Sequence, residues 1–365
     1  MSVAGNAPEY IRAIMPYLPG KPVSELAWEM GIAEGSIVKL ASNENPLGMS
    51  ACARDAITGV LSEVARYPDG NAFALKAAIC SKFGVRAEQL VIGNCSNDIL
   101  ELAARTFMAP GCAAVFSQHA FAVYPLATNA VGAKCIEVPA RDFGHDLDAM
   151  AAAITPETRI VFIANPNNPT GTFLSGEQLE AFLGKVPCDV LVVLDEAYTE
   201  YLAPEQSYAA LGWLARFPNL LISRTFSKAY GLAGLRVGYA IAHPEVADLM
   251  NRVRQPFNVS SIALAAAEAA LGDDEFLAQS AEVNRRGMVQ ITGALSELGL
   301  EWIPSSGNFV AFRAGDAAAV NLGLLKRGVI VRTIAGYGMP EWLRVSIGLS
   351  EENTRFIEAL RQILA

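Results

Sequence analysis

Seven short apolar runs, separated by longer stretches of helical pattern, constrain the fold of this 365-residue chain more than any other feature. They predict strands at residues 90–93, 113–117, 134–138, 160–164, 190–195, 220–225 and 237–242. Several runs are apolar at consecutive positions, as in strands buried on both faces of a parallel sheet. Helical patterns such as 97–108 and 175–183 lie between them. The pattern therefore predicts an α/β fold built on a mostly parallel seven-stranded sheet.

The character of the chain changes after Pro256. Two helical segments, 260–271 and 275–298, lead into residues 302–313. They are followed by a helix at 317–327, strands at 329–333 and 342–348, and a closing helix from 351. This order is typical of a smaller α+β domain. We expect an N-terminal arm at 1–33 that packs on the small domain, a large domain at 34–256 and a small domain at 257–365.

Composition and charge narrow the possible partners. The formal net charge is -9, and no basic stripe offsets it, so a general nucleic-acid binder is not expected. The first twenty residues contain three prolines and lack the apolar segment of a signal peptide, and the apolar stretch 261–271 is too short to cross a bilayer. The six cysteines form no Cys-x-x-Cys pair, and the three histidines match no metal-ligand spacing. We therefore expect a cytoplasmic protein with reduced thiols, no membrane segment and no metal.

Polar clusters follow four of the predicted strands, at the end where open α/β sheets bind ligands. The first, 93–98 (GNCSND), closes a strand and opens a helix, so its free amides and the helix dipole suit a phosphate. On its own, an ordinary N-cap at Ser96 or Asn97 is the simpler explanation. The second, 165–171 (NPNNPTG), has asparagine amides that can donate to a ligand oxygen. It holds more turn residues than a plain chain reversal requires.

The other two clusters carry charge. Asp195 ends an apolar run, where an unpaired carboxylate is costly, so it needs a cation such as a protonated pyridine nitrogen. Tyr198 can point into the same cavity. For Asp195, a salt-bridged carboxylate that caps the next helix is an equally good explanation. Lys228 follows another buried strand among hydroxyls and glycines, with Arg236 eight residues later, which is a setting for a nucleophilic lysine. A phosphate site, an acid for a ring nitrogen and an amine for a carbonyl are together what pyridoxal phosphate requires.

In their order, these clusters resemble those of the fold-type I aminotransferases, and the closest resemblance is to the histidinol-phosphate aminotransferases. The likeness covers almost the whole chain. It is also carried by Tyr17 with residues 19–22 (PGKP), and by residues 40–48 (LASNENPLG), 66–69 (RYPD) and 343–348 (LRVSIG). The ordered set is far more specific than any single motif. The resemblance implies pyridoxal 5′-phosphate as the cofactor.

The resemblance also implies a role for each matching position. Lys228 would hold the cofactor as a Schiff base and move the proton between Cα and C4′, and Asp195 would pair with the pyridinium nitrogen. Asn168 and Tyr198 would hydrogen-bond the O3′ of the ring, and Phe121 would stack on its face. The phosphate would be bound by Ser96, Asn97, Thr225, Ser227 and Arg236. Lys228, Asp195 and Tyr198 are thus the expected catalytic residues.

The same resemblance implies small-molecule substrates and a homodimer with shared active sites, because the family brings the residue at Tyr67 to the phosphate of the partner subunit. Arg344 would bind the anionic end of each substrate next to Asn168, with Tyr17 and Arg332 as helpers at a phosphate. The implied reaction is that of histidine biosynthesis. L-histidinol phosphate and 2-oxoglutarate would give imidazole acetol phosphate and L-glutamate.

The cofactor motifs leave other substrates open. An aromatic amino-acid aminotransferase acting on phenylalanine or tyrosine would share them, as would a pyridoxal-phosphate-dependent decarboxylase of a phospho-amino acid. A nucleotide-dependent dehydrogenase would need a Gly-x-Gly-x-x-Gly turn after the first strand, and the sequence has none. We expect no added DNA-binding module either. Three features depart from the family pattern: Cys95 stands where glycine is common, Asn97-Asp98 where an acidic pair is usual, and Phe121 where tyrosine is often found.

Overall fold

Within residues 2–16 and 20–365, which a computed structural model describes, the chain forms strands and α-helices in mixed order. The strands are β1 (Val38–Lys39), β2 (Leu90–Gly93), β3 (Ala113–Ser117), β4 (Lys134–Val138), β5 (Thr158–Ala164), β6 (Leu191–Asp195), β7 (Leu220–Thr225), β8 (Gly238–Ala242), β9 (Phe309–Arg313), β10 (Val329–Ile330), β11 (Arg332–Thr333) and β12 (Trp342–Ser346). The helices are α1 (Glu9–Arg12), α2 (Val23–Met30), α3 (Ala51–Val60), α4 (Phe73–Phe83), α5 (Cys95–Phe107), α6 (Val123–Ala130), α7 (Leu147–Ala152), α8 (Gly176–Leu183), α9 (Pro244–Val253), α10 (Ser261–Leu271), α11 (Asp274–Glu297), α12 (Ala317–Leu325) and α13 (Ser350–Leu364). None of these helices, in the part of the chain that is described, has the length and apolar sequence needed to cross a bilayer.

The large sheet has seven strands in the order β2-β8-β7-β6-β5-β3-β4. Only β8 runs antiparallel to its two neighbours, β2 and β7, while the remaining pairs are parallel. The predicted mostly parallel seven-stranded sheet is therefore confirmed. The main difference in extent is at β5, which begins two residues earlier than predicted, at Thr158.

Both faces of the large sheet are covered, which explains why its strands are apolar at consecutive positions. In β6, Val192 and Leu194 enter the core shared with α3, α4, α8 and α10. Leu191 and Val193 enter the opposite core, shared with α5, α6 and α9. Asp195 is the next residue in this alternation and lies at the carboxyl end of the strand. The fold thus places a carboxylate at the buried edge of the sheet.

A smaller region is built on a three-stranded antiparallel sheet, β11-β12-β9, and on a parallel pair, β1-β10. The single strand predicted at 329–333 is wrong, because the chain changes sheet at Val331 and forms two short strands instead. Helix α2 packs here through Leu26, which contacts the cluster that contains Ile330.

The chain passes between the two cores after α10. This helix lies against α3 and α4 of the large sheet, whereas α11 contributes Ile291 and Leu295 to the core of the small region. The division into an arm at 1–33, a large domain at 34–256 and a small domain at 257–365 stays a prediction.

Candidate active site

A cavity of about 360 Å³ lies where the carboxyl ends of β6 and β7 face the small antiparallel sheet. It brings together twelve of the fourteen residues predicted for the site: Ser96, Asn97, Phe121, Asn168, Asp195, Tyr198, Thr225, Ser227, Lys228, Arg236, Arg332 and Arg344. A larger open groove of about 1160 Å³, lined by residues such as Phe143 and Trp302, contains none of them. The predicted site residues that the structure brings together therefore lie in the smaller cavity.

Lys228 projects its amine into this cavity. Its Nζ donates a hydrogen bond of 3.1 Å to the carbonyl of Ser42 and lies 5.8 Å from the centre of the Tyr198 ring. Burial, together with the positive charge of Arg344, lowers the pKa of Lys228 to about 8. The turn that follows needs a glycine, since a Cβ on Gly231 would lie 1.8 Å from a backbone oxygen. The result is a lysine whose neutral, nucleophilic form is accessible near neutral pH.

Asp195 is buried with half of its carboxylate satisfied. The hydroxyl of Tyr124 donates to Oδ2 at 3.1 Å, whereas Oδ1 is buried and has no hydrogen-bond partner among the described residues. Burial raises the pKa of Asp195 to about 7, although the bond from Tyr124 acts in the opposite direction. The Tyr124 ring is itself fixed by stacking on Phe162 at 4.7 Å. A cation at Oδ1 would complete this arrangement.

The N-terminus of α5 forms one wall of an anion site. Ser96 and Asn97 lie in its first turn, where backbone amides have no partner within the helix. A Cβ on Gly238 would lie 2.7 Å from the amide nitrogen of Ser96, so only a glycine lets β8 approach this wall so closely. The helix begins at Cys95, two residues before the predicted start.

Hydroxyl groups and a guanidinium form the opposite wall. Thr225 ends β7, and its Oγ1 accepts from the amide of Ser227 at 3.1 Å. Nη1 of Arg236 donates to the Ser227 hydroxyl at 3.3 Å and to the carbonyl of Ala233 at 2.9 Å. Amides, hydroxyls and one fixed positive charge together make a site suited to a phosphate.

Two arginines stand opposite each other at the other end of the cavity. Arg332 in β11 is paired in register with Arg344 in β12. Arg344 is only 6% exposed, donates from Nη2 to the carbonyl of Ala41 at 2.8 Å and contacts Oδ1 of Asn168 through Nη1. These contacts hold a buried guanidinium in one orientation beside the lysine.

Of the two remaining predicted residues, one is described and lies outside the cavity. Tyr67 is 83% exposed and stacks on Phe257, with ring centres 4.9 Å apart. It does not line the cavity of its own chain. Tyr17 lies outside the described residues.

Residues 35–360 match the family model described as aminotransferase class I and II. The chain belongs to this family. A histidinol-phosphate aminotransferase of Ralstonia nicotianae is 62% identical over 362 residues, with 98% of this chain and 97% of the relative covered. One of Methylobacillus flagellatus is 65% identical over 358 residues, with the same coverage of 98% and 97%.

Solved structures show the same relationship. A histidinol-phosphate aminotransferase from Sinorhizobium meliloti in complex with pyridoxal-5′-phosphate has a TM-score of 0.90 and 28% sequence identity to this aminotransferase, with coverage of 98% and 97%. Thermus thermophilus aspartate aminotransferase with maleate, at 22% identity and a TM-score of 0.82, shares the fold. The predicted fold-type I class and the predicted cofactor, pyridoxal 5′-phosphate, are confirmed.

The side chains of this aminotransferase fit that cofactor. The unsatisfied Oδ1 of Asp195 suits a protonated ring nitrogen, and the amine of Lys228 suits the aldehyde carbon. The walls formed by α5 and by Arg236 suit the phosphate. Asp195 ends β6, whereas Lys228 and the hydroxyls of the phosphate site come from the end of β7 and the residues that follow it.

Sequence reasoning missed several residues that shape the site. The amide of Asn43 donates to the Tyr198 hydroxyl at 2.9 Å, and the carbonyl of Ser42 accepts from Lys228. Their segment, 40–48, was singled out only by resemblance, and its density of polar residues after a short strand was the available signal. Tyr124, which contacts Asp195, and Tyr337, which also lines the cavity, carried no signal, because an aromatic residue on a helix or in a loop is most simply a core residue.

Proposed function

We propose that this aminotransferase transfers the amino group of L-histidinol phosphate to 2-oxoglutarate, giving imidazole acetol phosphate and L-glutamate in histidine biosynthesis. The observation that carries the proposal is the pair Arg332 and Arg344, which line one end of the cavity that Lys228 enters. Two guanidinium groups suit a phosphate, whereas one is enough for a carboxylate. The relatives at 62% and 65% identity, which carry this activity in their names, support the same assignment.

We assign the proton transfer to Lys228 and charge stabilisation to Asp195. When bound, pyridoxal phosphate supplies an electron sink for the carbon that loses its proton. Lys228 would hold this group as a Schiff base, and its Nζ, with a pKa of about 8, would act as the base that accepts the proton of the substrate Cα. Asp195 keeps the ring nitrogen charged through Oδ1, while Tyr124 holds Oδ2.

The remaining cofactor residues position the ring and its phosphate. Asn168 and Tyr198 are proposed to bind the O3′ oxygen, and Phe121 to cover one face of the ring while meeting Tyr124 edge-on at 5.9 Å. The phosphate is assigned to the two walls described above: Ser96, Asn97, Thr225, Ser227 and Arg236.

The substrate end uses Arg344 in both half-reactions. Its guanidinium can bind a carboxylate or a phosphate by two parallel hydrogen bonds. A phosphate carries more charge and one more oxygen than a carboxylate, so it recruits additional donors. Arg332 across the strand pair is the proposed second donor, and Tyr17 the third.

We further propose a homodimer in which Tyr67 serves the active site of the partner subunit. Its 83% exposure and its stacking on Phe257 present two aromatic rings on one surface. The test mixes Lys228→Ala chains with Tyr67→Ala chains, each inactive or severely impaired alone. Mixed dimers contain one wild-type site, so activity should return in proportion to subunit exchange. Exchange without any recovery would contradict shared sites.

A cytoplasmic location is also proposed, supported by the cysteines. All six are free thiols, with two of them exposed, Cys52 and Cys188. Free exposed thiols are typical of a reducing compartment.

The substrate proposal is tested by specificity constants. Purified holoenzyme would be assayed with 2-oxoglutarate as acceptor and with L-histidinol phosphate, phenylalanine or tyrosine as donor. We expect the highest kcat/KM for L-histidinol phosphate. A higher value for either aromatic amino acid would overturn the assignment in favour of an aromatic aminotransferase. Release of carbon dioxide from a phospho-amino acid would point to the decarboxylase instead.

A further inference from the structure

Cys95 places a thiol inside the anion site, and the mechanism makes no use of it. The residue is 4% exposed and lines the cavity at the start of α5. Its Sγ lies 3.2 Å from the hydroxyl oxygen of Ser227 and 3.4 Å from that of Thr225. Both distances are short enough for hydrogen bonds to sulfur, so the thiol contacts two of the groups assigned to the phosphate.

The backbone at Cys95 is in an uncommon conformation. Its φ is +73°, in the left-handed region that favours glycine and is strained for a residue with a Cβ. The surrounding contacts hold the residue there. Its side chain is thereby fixed towards Ser227 and Thr225 instead of pointing to solvent.

The surroundings also favour the ionised thiol. Burial raises the pKa of Cys95, but the positive charge of Arg236 and hydrogen bonds from Ser227, Thr225 and the Asn97 amide outweigh it. The pKa therefore lies below its ordinary value, as in reactive cysteines at electropositive helix starts. A bound phosphate would compete with the thiolate for the same donors.

A second feature shows that this cavity receives a ligand. Oδ1 of Asp195 is buried without a partner at the far side of the same cavity. A ligand that satisfies Asp195 through a ring nitrogen and reaches the hydroxyls of Ser227 and Thr225 through a phosphate would occupy the cavity that Cys95 lines and reach the two hydroxyls that Cys95 contacts.

We propose that the thiol of Cys95 contacts the cofactor phosphate, and that soft alkylating electrophiles modify this thiol when the anion site is empty. Cofactor binding and thiol modification therefore exclude each other. This inference rests on the proposed phosphate role of Ser227, Thr225 and Arg236. With iodoacetamide, the thiolate sulfur bonds to the methylene carbon as the carbon–iodine bond breaks. Iodide leaves with the electron pair, and the thiol proton goes to solvent.

The experiment compares the full chain with and without cofactor, after circular dichroism has shown both forms to be folded. Iodoacetamide is added, and the modified fraction of each cysteine-containing peptide is followed by mass spectrometry. Pyridoxal 5′-phosphate at one hundred times its Kd should slow modification of Cys95 about a hundredfold. Pyridoxal, which lacks the phosphate, should protect Cys95 far less. Cys188, which is exposed, should react at the same rate throughout and is the internal control.

Variants distinguish a direct contact between Cys95 and the cofactor from a general loss of accessibility when the cofactor binds. Cofactor-free wild type, fully alkylated and then given pyridoxal 5′-phosphate, should retain little cofactor, as measured by phosphate released on denaturation. Cys95→Ser treated in the same way should retain it. Cys95→Gly, which suits the backbone conformation, provides the same test if the serine variant folds poorly. Cys188→Ser should lose cofactor as wild type does.

Three results would overturn the inference: equal Cys95 modification with and without cofactor, equal protection by pyridoxal, or no modification in either state. None of these measurements uses substrate turnover. A preference for phenylalanine over L-histidinol phosphate would therefore refute the proposed substrate and leave the Cys95 result unaffected. If the enzyme prefers L-histidinol phosphate but the cofactor does not protect Cys95 from iodoacetamide, the inference about Cys95 is refuted and the proposed substrate stands.

Discussion

The two ends of the cavity are built differently. At the cofactor end, Asp195 and Thr225 are the last residues of two strands in the buried large sheet, and Lys228 follows three residues after Thr225. At the substrate end, Arg332 and Arg344 lie on a smaller sheet in which β11 has only two residues. The cofactor end is thus fixed by the core of the large sheet, while the substrate end is carried by the smaller sheet. Substitutions at the cofactor end should therefore lower activity with every substrate, and those at the substrate end should discriminate between substrates.

The largest effect is expected for Lys228→Ala. The variant loses both the covalent attachment of the cofactor and the base that moves the proton, so turnover should fall on the order of 10⁴-fold or more. The fall should be the same with L-histidinol phosphate and with glutamate as donor. Steady-state kinetics with saturating cofactor measure it. Full activity would remove Lys228 from the mechanism.

Asp195→Asn should have the second largest effect on turnover. The neutral amide cannot hold the ring nitrogen protonated, and loss of a buried charge pair costs about 3–5 kcal/mol, or roughly 150- to 5,000-fold in kcat. Cofactor should still bind, as measured by its absorbance after gel filtration. Less than a tenfold decrease in kcat would mean that Asp195 serves only to stabilise the strand end.

Arg332→Ala tests the substrate end of the cavity. We expect kcat/KM for L-histidinol phosphate to fall by about 1.5–3 kcal/mol, the scale of a charged hydrogen bond, which is roughly 10- to 150-fold. The value for glutamate should change much less. Arg332→Lys is the matched control, since it keeps the charge but loses the planar fork. Equal losses for both donors would show that Arg332 supports the fold and not the phosphate.

The smallest effect is expected for Tyr124→Phe. The ring can still stack on Phe162, but Oδ2 of Asp195 loses its donor, which costs about 0.5–1.5 kcal/mol, or roughly tenfold at most in kcat. Because the bond from Tyr124 lowers the pKa of Asp195, its loss should raise that pKa further above its ordinary value. The pH titration of the absorbance of the bound cofactor should then shift. An unchanged titration would mean that Tyr124 only fills the core.

Much of the cofactor end could be predicted from the sequence, because each strand is visible as an apolar run and a polar residue marks its end. Asp195, Thr225 and Lys228 were located in this way, and the edge of the sheet brings them together. They share one cavity for this reason, whereas Phe121, Arg332 and Arg344 could be assigned to it only through the resemblance.

The rest depended on contacts between parts of the chain that are far apart in sequence. Asn43 reaches Tyr198 across 155 positions, and Tyr124 reaches Asp195 across 71. No local pattern predicts such pairs. The split of 329–333 into two strands was missed for the same reason, since a change of sheet at Val331 depends on which partners each half finds.

The central claim is that the cofactor is attached at the end of the large sheet, through Lys228. The most direct measurement is reduction of the purified holoenzyme with borohydride, proteolysis and mass spectrometry of the peptides. We predict a mass increase of one reduced cofactor on the peptide that contains Lys228, and on no other lysine. A modified peptide that lacks Lys228, or the absence of any modified peptide from an active enzyme, would contradict the claim.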